Sequence, residues 1–386
     1  EPGVARAETK QNPAVSPDVR LTVASSVIPA AARGLGDADA GVRRQSAQAM
    51  RHAATALQKE LTEVADSPGT AALKGRPPMQ ELGEAAEAMA AKIGTLKRAV
   101  SDADAEVRVE AVRAVDVLGR VLGQFRARKK AKGAEGDLPP PRPPLKPAAE
   151  KGPSGLGAAR RPRVPARLAS RRAMAVLAAP EAEARLAGSM RGMVEEVGAR
   201  LDDRAPSIRR AAAEALESFG PLAEPAIPQL AKALKDRDLL VRWIAARTLG
   251  TLGKRADEVV PALAGNFADD DLDARLAAIN AAAKFGPDAV AATSALADRL
   301  GKGDAEARLA VLKALEAIGP GGKDALPAIA RELADPDQRV RRAAAVLLGK
   351  HGPAARPYLA GLRRLLDDPD AEVKRAASAA ILAAME

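Results

Sequence analysis

Cysteine is absent from the 386-residue chain. That excludes disulfides, thiolate metal sites and cysteine nucleophiles. Histidine occurs twice, and the aromatics amount to one Trp, one Tyr and four Phe. So few large rings suit a compact enzyme core of this size poorly. No run of about 18 apolar residues is present, so no transmembrane helix is encoded. What the chain has instead is small apolar residues. The hydrophobic fraction is 47%, much of it Ala, which suits closely packed helices. It also carries 60 Lys and Arg against 50 Asp and Glu, a formal +10.

The C-terminal part repeats itself. Basic residues at Arg209, Arg242, Arg275, Arg308, Arg341 and Lys374 are separated by five gaps of 33 residues. Counting from each basic residue as position 0, other columns hold the same phase. Position −6 carries Asp203, Asp236, Asp269, Asp335 and Asp368. Position −4 carries Asp238, Asp271, Asp304, Asp337 and Asp370. Position +7 carries Leu216, Leu249, Ala282, Leu315, Leu348 and Ile381, and position +11 carries Gly220, Gly253, Gly286, Gly319 and Gly352. Pro228, Pro261 and Pro327 form a further column.

One unit can be read physically. Positions −1, +3, +4, +7 and +10 share one face at about 100° per residue and are nearly all apolar or small, which predicts an amphipathic helix. The Asp at −4 predicts its N-cap. The Gly at +11, followed by Pro at 287, 320 and 353, predicts its stop. Stretches such as IPQLAKALKD and LPAIARELAD predict a second, antiparallel helix. Such a helical hairpin cannot bury its face alone. Stacking buries it, so the expected fold is all-α, a right-handed α-solenoid of about eight hairpins. The Arg at 0 can reach an Asp in a neighbouring loop, stitching repeat to repeat.

The segments at 236–253 and 335–352 follow D-x-D-x-x-V-R-x-x-A-A-x-x-L-G-x-x-G closely. They resemble the HEAT-repeat family, in its short bacterial, lyase-type form. The resemblance is strong over 172–386. It extends to two earlier units, around Arg43 and Arg108, whose spacing is 65 residues. Four regions are expected: a loose N-terminus at 1–18, a first array at 19–125 with an insertion near 65–80, a basic Pro-rich linker at 126–172, and six units at 173–386. The resemblance implies a non-enzymatic scaffold for protein binding, without cofactor or metal. It also implies that one helix of each hairpin lines a concave surface.

That surface yields the candidate site. Position +1 reads Arg210, Trp243, Leu276, Leu309, Arg342 and Arg375 through the six units, and position +5 includes Arg247 and Lys313. Trp243, Leu276 and Leu309 form an apolar row with an aromatic anchor, rimmed by Arg210, Arg247, Lys313, Arg342 and Arg375. Such a stripe fits a protein or peptide partner.

Charge offers a second reading. The stretch 126–172 holds 14 basic and three acidic residues and nine of the 29 Pro. Subtracting these leaves 46 basic and 47 acidic residues elsewhere, a net −1. The basic stretch could hold nucleic acid, an anionic membrane or an acidic polymer through salt-sensitive contacts. It has no aromatic residue on which bases could stack.

Catalysis is poorly supported. His52 and His351 are far apart in repeat order, and no H-E-x-x-H, Ser-His-Asp or G-x-S-x-G arrangement occurs. HEAT-like units resemble those of enzymes that attach or detach bilin chromophores, but no residue here supplies that chemistry. The chain opens Glu-Pro-Gly rather than Met: either a leader has been removed, as expected of an exported, periplasmic protein, or the sequence has been trimmed, which leaves a cytoplasmic location open.

Overall fold

The computed structural model describes residues 17–65, 79–136 and 181–386. Most of the expected N-terminus, the insertion near 65–80, and the basic stretch from 137 onward lie outside the described residues. So does the electrostatic reading of that stretch. The described residues are helices and turns, without a strand among them. They fall into two compact units, with the boundary inside one long helix.

The first unit takes residues up to Ala99 and Val117–Met190. It contains α1 (Pro17–Gly34), α2 (Ala40–Ala65), α3 (Met79–Ala90), most of α4 (Ile93–Val100) and the later turns of α5 (Ala105–Gly136). A further helix, α6, covers 181–191. Met50, Leu57, Leu61, Leu82, Leu96 and Leu122 are fully buried here. Each such side chain contributes about 1.5–3 kcal/mol relative to exposure. Gln124 Nε2 donates to Thr62 Oγ1 at 2.6 Å, and Arg185 pairs with Glu87 at 3.0 Å.

Helix α5 overruns the expected start of the linker at 126 by reaching Gly136. Gly119 occupies the +11 position of its unit and does not stop it. The apolar pattern continues through Val121, Leu122 and Phe125, all buried. A lone Gly costs a helix only about 1 kcal/mol, which continued burial offsets.

The second unit takes Val100–Asp116 and Arg191–Glu386. Its long helices are the first turns of α5, then α8 (Pro206–Phe219), α10 (Leu239–Leu252), α12 (Leu272–Lys284), α14 (Ala305–Ile318), α16 (Gln338–Lys350) and α18 (Ala371–Met385). Short helices alternate with them: α7 (Val194–Ala199), α9 (Ile227–Ala233), α11 (Ala256–Ala264), α13 (Thr293–Ala297), α15 (Leu326–Arg331) and α17 (Leu359–Arg364).

The repeat columns do the work expected of them. Ile208, Val241, Ala274, Ala307, Val340 and Val373, all at −1, are buried, as are the small residues at +3. Asp238, Asp271, Asp304, Asp337 and Asp370 accept N–H bonds from the first turns of their helices. The Gly at +11 adopts φ between 53° and 71°, where side chains are disfavoured. Where Pro follows it, the chain enters a 3₁₀ turn, as at Gly286–Ala292 and Gly319–Ala325, before the short α-helix begins. In those units the second helix of the hairpin is therefore more broken than its sequence predicts, whereas α11, which follows Gly253-Lys254, is continuous.

Two observations explain the close stacking. The first is backbone approach. A Cβ on Gly250 of α10 would lie 2.6 Å from Ala281 Cα of α12, and one on Gly349 of α16 would lie 3.0 Å from Ala380 Cα of α18. These Gly occupy position +8 of their units, and helical phase alone would place that position on the face opposite the apolar one. In these units +8 instead turns toward the next repeat.

The second is a ladder of arginines. Arg209 Nε and Nη2 donate to both carboxylate oxygens of Asp236 at 2.7 and 3.0 Å. Arg242 grips Asp269 likewise at 2.8 and 2.9 Å, Arg308 grips Asp335 at 2.7 and 3.1 Å, and Arg341 grips Asp368 at 2.7 and 3.0 Å. Meanwhile Nη1 of each donates to carbonyls of its own loop, such as Asp236 O for Arg242 at 3.0 Å. Only a guanidinium can serve both directions in this geometry. Burial pushes the Asp269 carboxyl up, but the Arg242 fork, the Asp271 N–H and the Arg242 charge hold it below its ordinary value.

The same rung joins Arg108 to Asp203, at 2.9 and 3.2 Å. Here 95 residues separate the partners, against 27 in the regular rungs. The repeat of Arg108 therefore stacks directly on that of Arg209. One rung departs from the pattern. Lys302 stands at −6 of the Arg308 unit, so Arg275 meets no Asp at that position.

Candidate functional site

The N-terminal halves of α10, α12 and α14 present the candidate surface. Trp243, Leu276 and Leu309 occupy +1 on these three packed helices and are all half-buried. Each is turned far enough from the core to keep part of its side chain exposed.

The tryptophan is held from one side. The Arg247 guanidinium sits 3.9 Å from the Trp243 ring centroid. Its Nε and Nη2 also fork onto Glu217 of the preceding repeat, both at 2.5 Å. The carboxylate fixes the arginine, and the arginine stacks on the ring by a cation–π contact. Glu217 lies 30 residues from Arg247, and its role follows only once the repeats are stacked.

The structure enlarges the apolar patch. Leu239 and Leu240, at −3 and −2, are 41% and 42% exposed beside Trp243. Leu272, at −3 of the next unit, is half-buried. A Leu at −2 is the signal that sequence reasoning passed over, because Asp273, Glu306, Arg339 and Glu372 occupy that position in four of the other units. In DRDLLVRW it marks a unit whose helix start is apolar where its siblings are charged.

The cationic rim is smaller than expected. Arg210 donates to Asp238 at 2.5 Å, Arg247 is committed to Glu217, and Arg375 pairs with Glu372 on its own helix. Lys313 and Arg342 are exposed, and neither has a side-chain partner among the described residues. They lie on α14 and α16, at the C-terminal end of the apolar row. Among the described residues no group of acidic or histidine side chains is arranged to hold a metal ion. No helix among them is long and apolar enough to cross a membrane.

The stacked hairpins and their ladder define an all-α solenoid of tandem repeats. Residues 194–284 and 293–382 match the family model for HEAT repeats, and this part of the chain consists of HEAT repeats. A search of curated proteins finds no match. Among solved structures, the chain is similar to an engineered protein at 18% identity and a TM-score of 0.36, covering 76% of this chain and 96% of that one. It is similar to YibA of Escherichia coli at 22% identity and a TM-score of 0.34, covering 47% and 67%. It is also similar to a chain of the AP-3 complex at 12% identity and a TM-score of 0.44, covering 94% and 55%. HEAT-repeat solenoids commonly mediate protein interactions and are generally non-enzymatic.

Proposed function

We propose that the surface of α10, α12 and α14 binds an extended protein segment with apolar residues at one end and acidic residues at the other. The observation that carries this is the exposed pair Leu239 and Leu240 beside a clamped Trp243, in register with Leu276 and Leu309. Apolar side chains held open on a rigid scaffold lower the ordering cost of binding. Aromatic anchors at the centre of a patch carry a large share of affinity. Lys313 and Arg342 supply the complement for acidic residues. Arg210, Arg247 and Arg375 act by supporting the surface, since their charges are already met.

Peptide arrays probed with the full chain test this. Retained sequences should combine apolar and acidic residues. Trp243→Ala and Leu240→Asp should each weaken binding about 30-fold or more, the loss expected of a hot-spot residue. Circular dichroism should show unchanged helicity. Undiminished binding by both variants would overturn the assignment of this face.

A further inference from the structure

In five rungs of the ladder, an Asp from the following repeat receives the arginine fork. The same Asp accepts a backbone N–H two residues further on. Asp236 takes that of Asp238 at 2.8 Å, Asp269 that of Asp271 at 3.0 Å, and Asp335 that of Asp337 at 2.8 Å. Each carboxylate is thus enclosed by a guanidinium and an amide.

At Lys302 this carboxylate is replaced by an amine. Arg275 keeps its bond to Asp269 O at 2.5 Å. The carboxylate oxygen paired with it, Asp304 Oδ2, is 3.8 Å from Nη2, beyond hydrogen-bond range. Asp304 Oδ1 is occupied by the Ala307 N–H at 2.9 Å. The Asp304 N–H, whose counterparts bond to the Asp at −6, has no acceptor among the described residues. The side chains of Arg299 and Lys302 likewise have no partner among them. Arg275, Arg299, Lys302 and Gly303 line a pocket of about 180 Å³, walled by Phe267 and Ile279. Gly301 and Gly303 both adopt φ of 72° around Lys302, so the loop takes a course that side chains at those two positions would resist.

We propose that this pocket is a carboxylate-binding site. It accepts the acid group of a small molecule, or an acidic side chain of a polypeptide, in the place that Asp takes in the sibling rungs. The planar fork of Arg275 matches a carboxylate in two parallel bonds, and Arg299 and Lys302 add further positive charge. Position −9, where Arg299 lies, holds Asn266 one repeat earlier and Glu332 one repeat later; Arg200 holds it in the Arg209 unit, but there Asp203 rather than a lysine stands at −6. The triple-cation arrangement therefore belongs to this rung. The site is independent of the Trp243 surface, and its test uses free anions.

The full chain is titrated with sodium acetate and, in parallel, with N-acetylglutamate amide, chloride holding ionic strength constant. Amide shifts of Gly303 and Asp304 and the Tm are read. Saturable shifts and a rise in Tm are expected with either carboxylate. Tighter binding of the glutamate compound assigns the ligand to polypeptide, and equal binding assigns it to free acids. Arg275→Gln should weaken binding about tenfold or more, the cost of losing a charged hydrogen bond. Lys302→Asp restores the rung. It should raise the Tm in chloride and abolish the response to acetate. An equal acetate response in Lys302→Asp and the unmodified chain would overturn the proposal. Saturation by inorganic phosphate without any response to carboxylates would overturn the ligand class.

Discussion

A buried acid can make a repeat protein sensitive to pH, and Glu332 is such an acid. It is 4% exposed, with Asp335 beside it and Arg308 Nε 3.7 Å away. Burial, reinforced by the hydrogen bond and charge of Asp335, pushes its carboxyl up from 4.5 to about 7, against the opposing charge of Arg308. The folded chain therefore holds a proton between about pH 4.5 and 7 that the unfolded chain has lost. Stability should fall as pH rises through that window and level off above it. Glu332→Gln should remove this slope, so urea unfolding at pH 5 and pH 8 should show a smaller difference than in the unmodified chain. An unchanged difference would mean another group is responsible. The ladder acids act with the opposite sign. Asp203, Asp269 and Asp368 are held below 3.8, so their contribution is present above that value and is lost on further acidification. Arg and Asp columns were legible in the sequence because 33-residue phasing lines them up. Glu332 was not, because its burial depends on which short helix covers it.

At the scale of elements, the long helices were the most legible part. Their apolar phase, Asp caps and terminal Gly all point the same way, and burial follows that phase from Val241 to Val373. The short helices were less so, because Gly-Pro followed by further Pro breaks them into 3₁₀ and α segments. Least legible was how closely neighbouring helices approach, since this depends on contacts between repeats. Gly250 gives the sharpest test. Gly250→Val drives a branched side chain toward the backbone at Ala281 and should cost about 2 kcal/mol or more in chemical unfolding. Gly123 on α5 is the control, with nothing within 4 Å of a Cβ placed there. Gly123→Ala should be neutral or stabilise by up to about 1 kcal/mol through helix propensity. Equal losses in the two variants would show that α10 and α12 are not in close contact.

Across the whole molecule, the rung from Arg108 to Asp203 changes how the interruption is understood. Sequence composition predicts a spacer between two arrays. The rung shows that residues on either side of the interruption belong to adjacent layers of the second unit. The intervening chain closes a loop, and closure entropy grows only with the logarithm of loop length. Adding a flexible Gly-Ser tract that doubles the loop should cost about 0.6 kcal/mol in unfolding free energy. A loss of several kcal/mol would show that the natural segment contributes to the core. Composition could locate this segment but not its neighbours, because the partners of the rung are 95 residues apart. The basic charge at 126–172 lies, in sequence, between the two partners of that rung.

The chain's only tryptophan is Trp243, half-buried under the Arg247 guanidinium. Excited at the red edge of protein absorption, the molecule has a single emitter, placed on the surface proposed to bind. A segment that lies over the indole, or lifts the arginine from it, will change the emission wavelength and accessibility to iodide. The protein thus carries its own optical reporter, with no competing signal from any other indole.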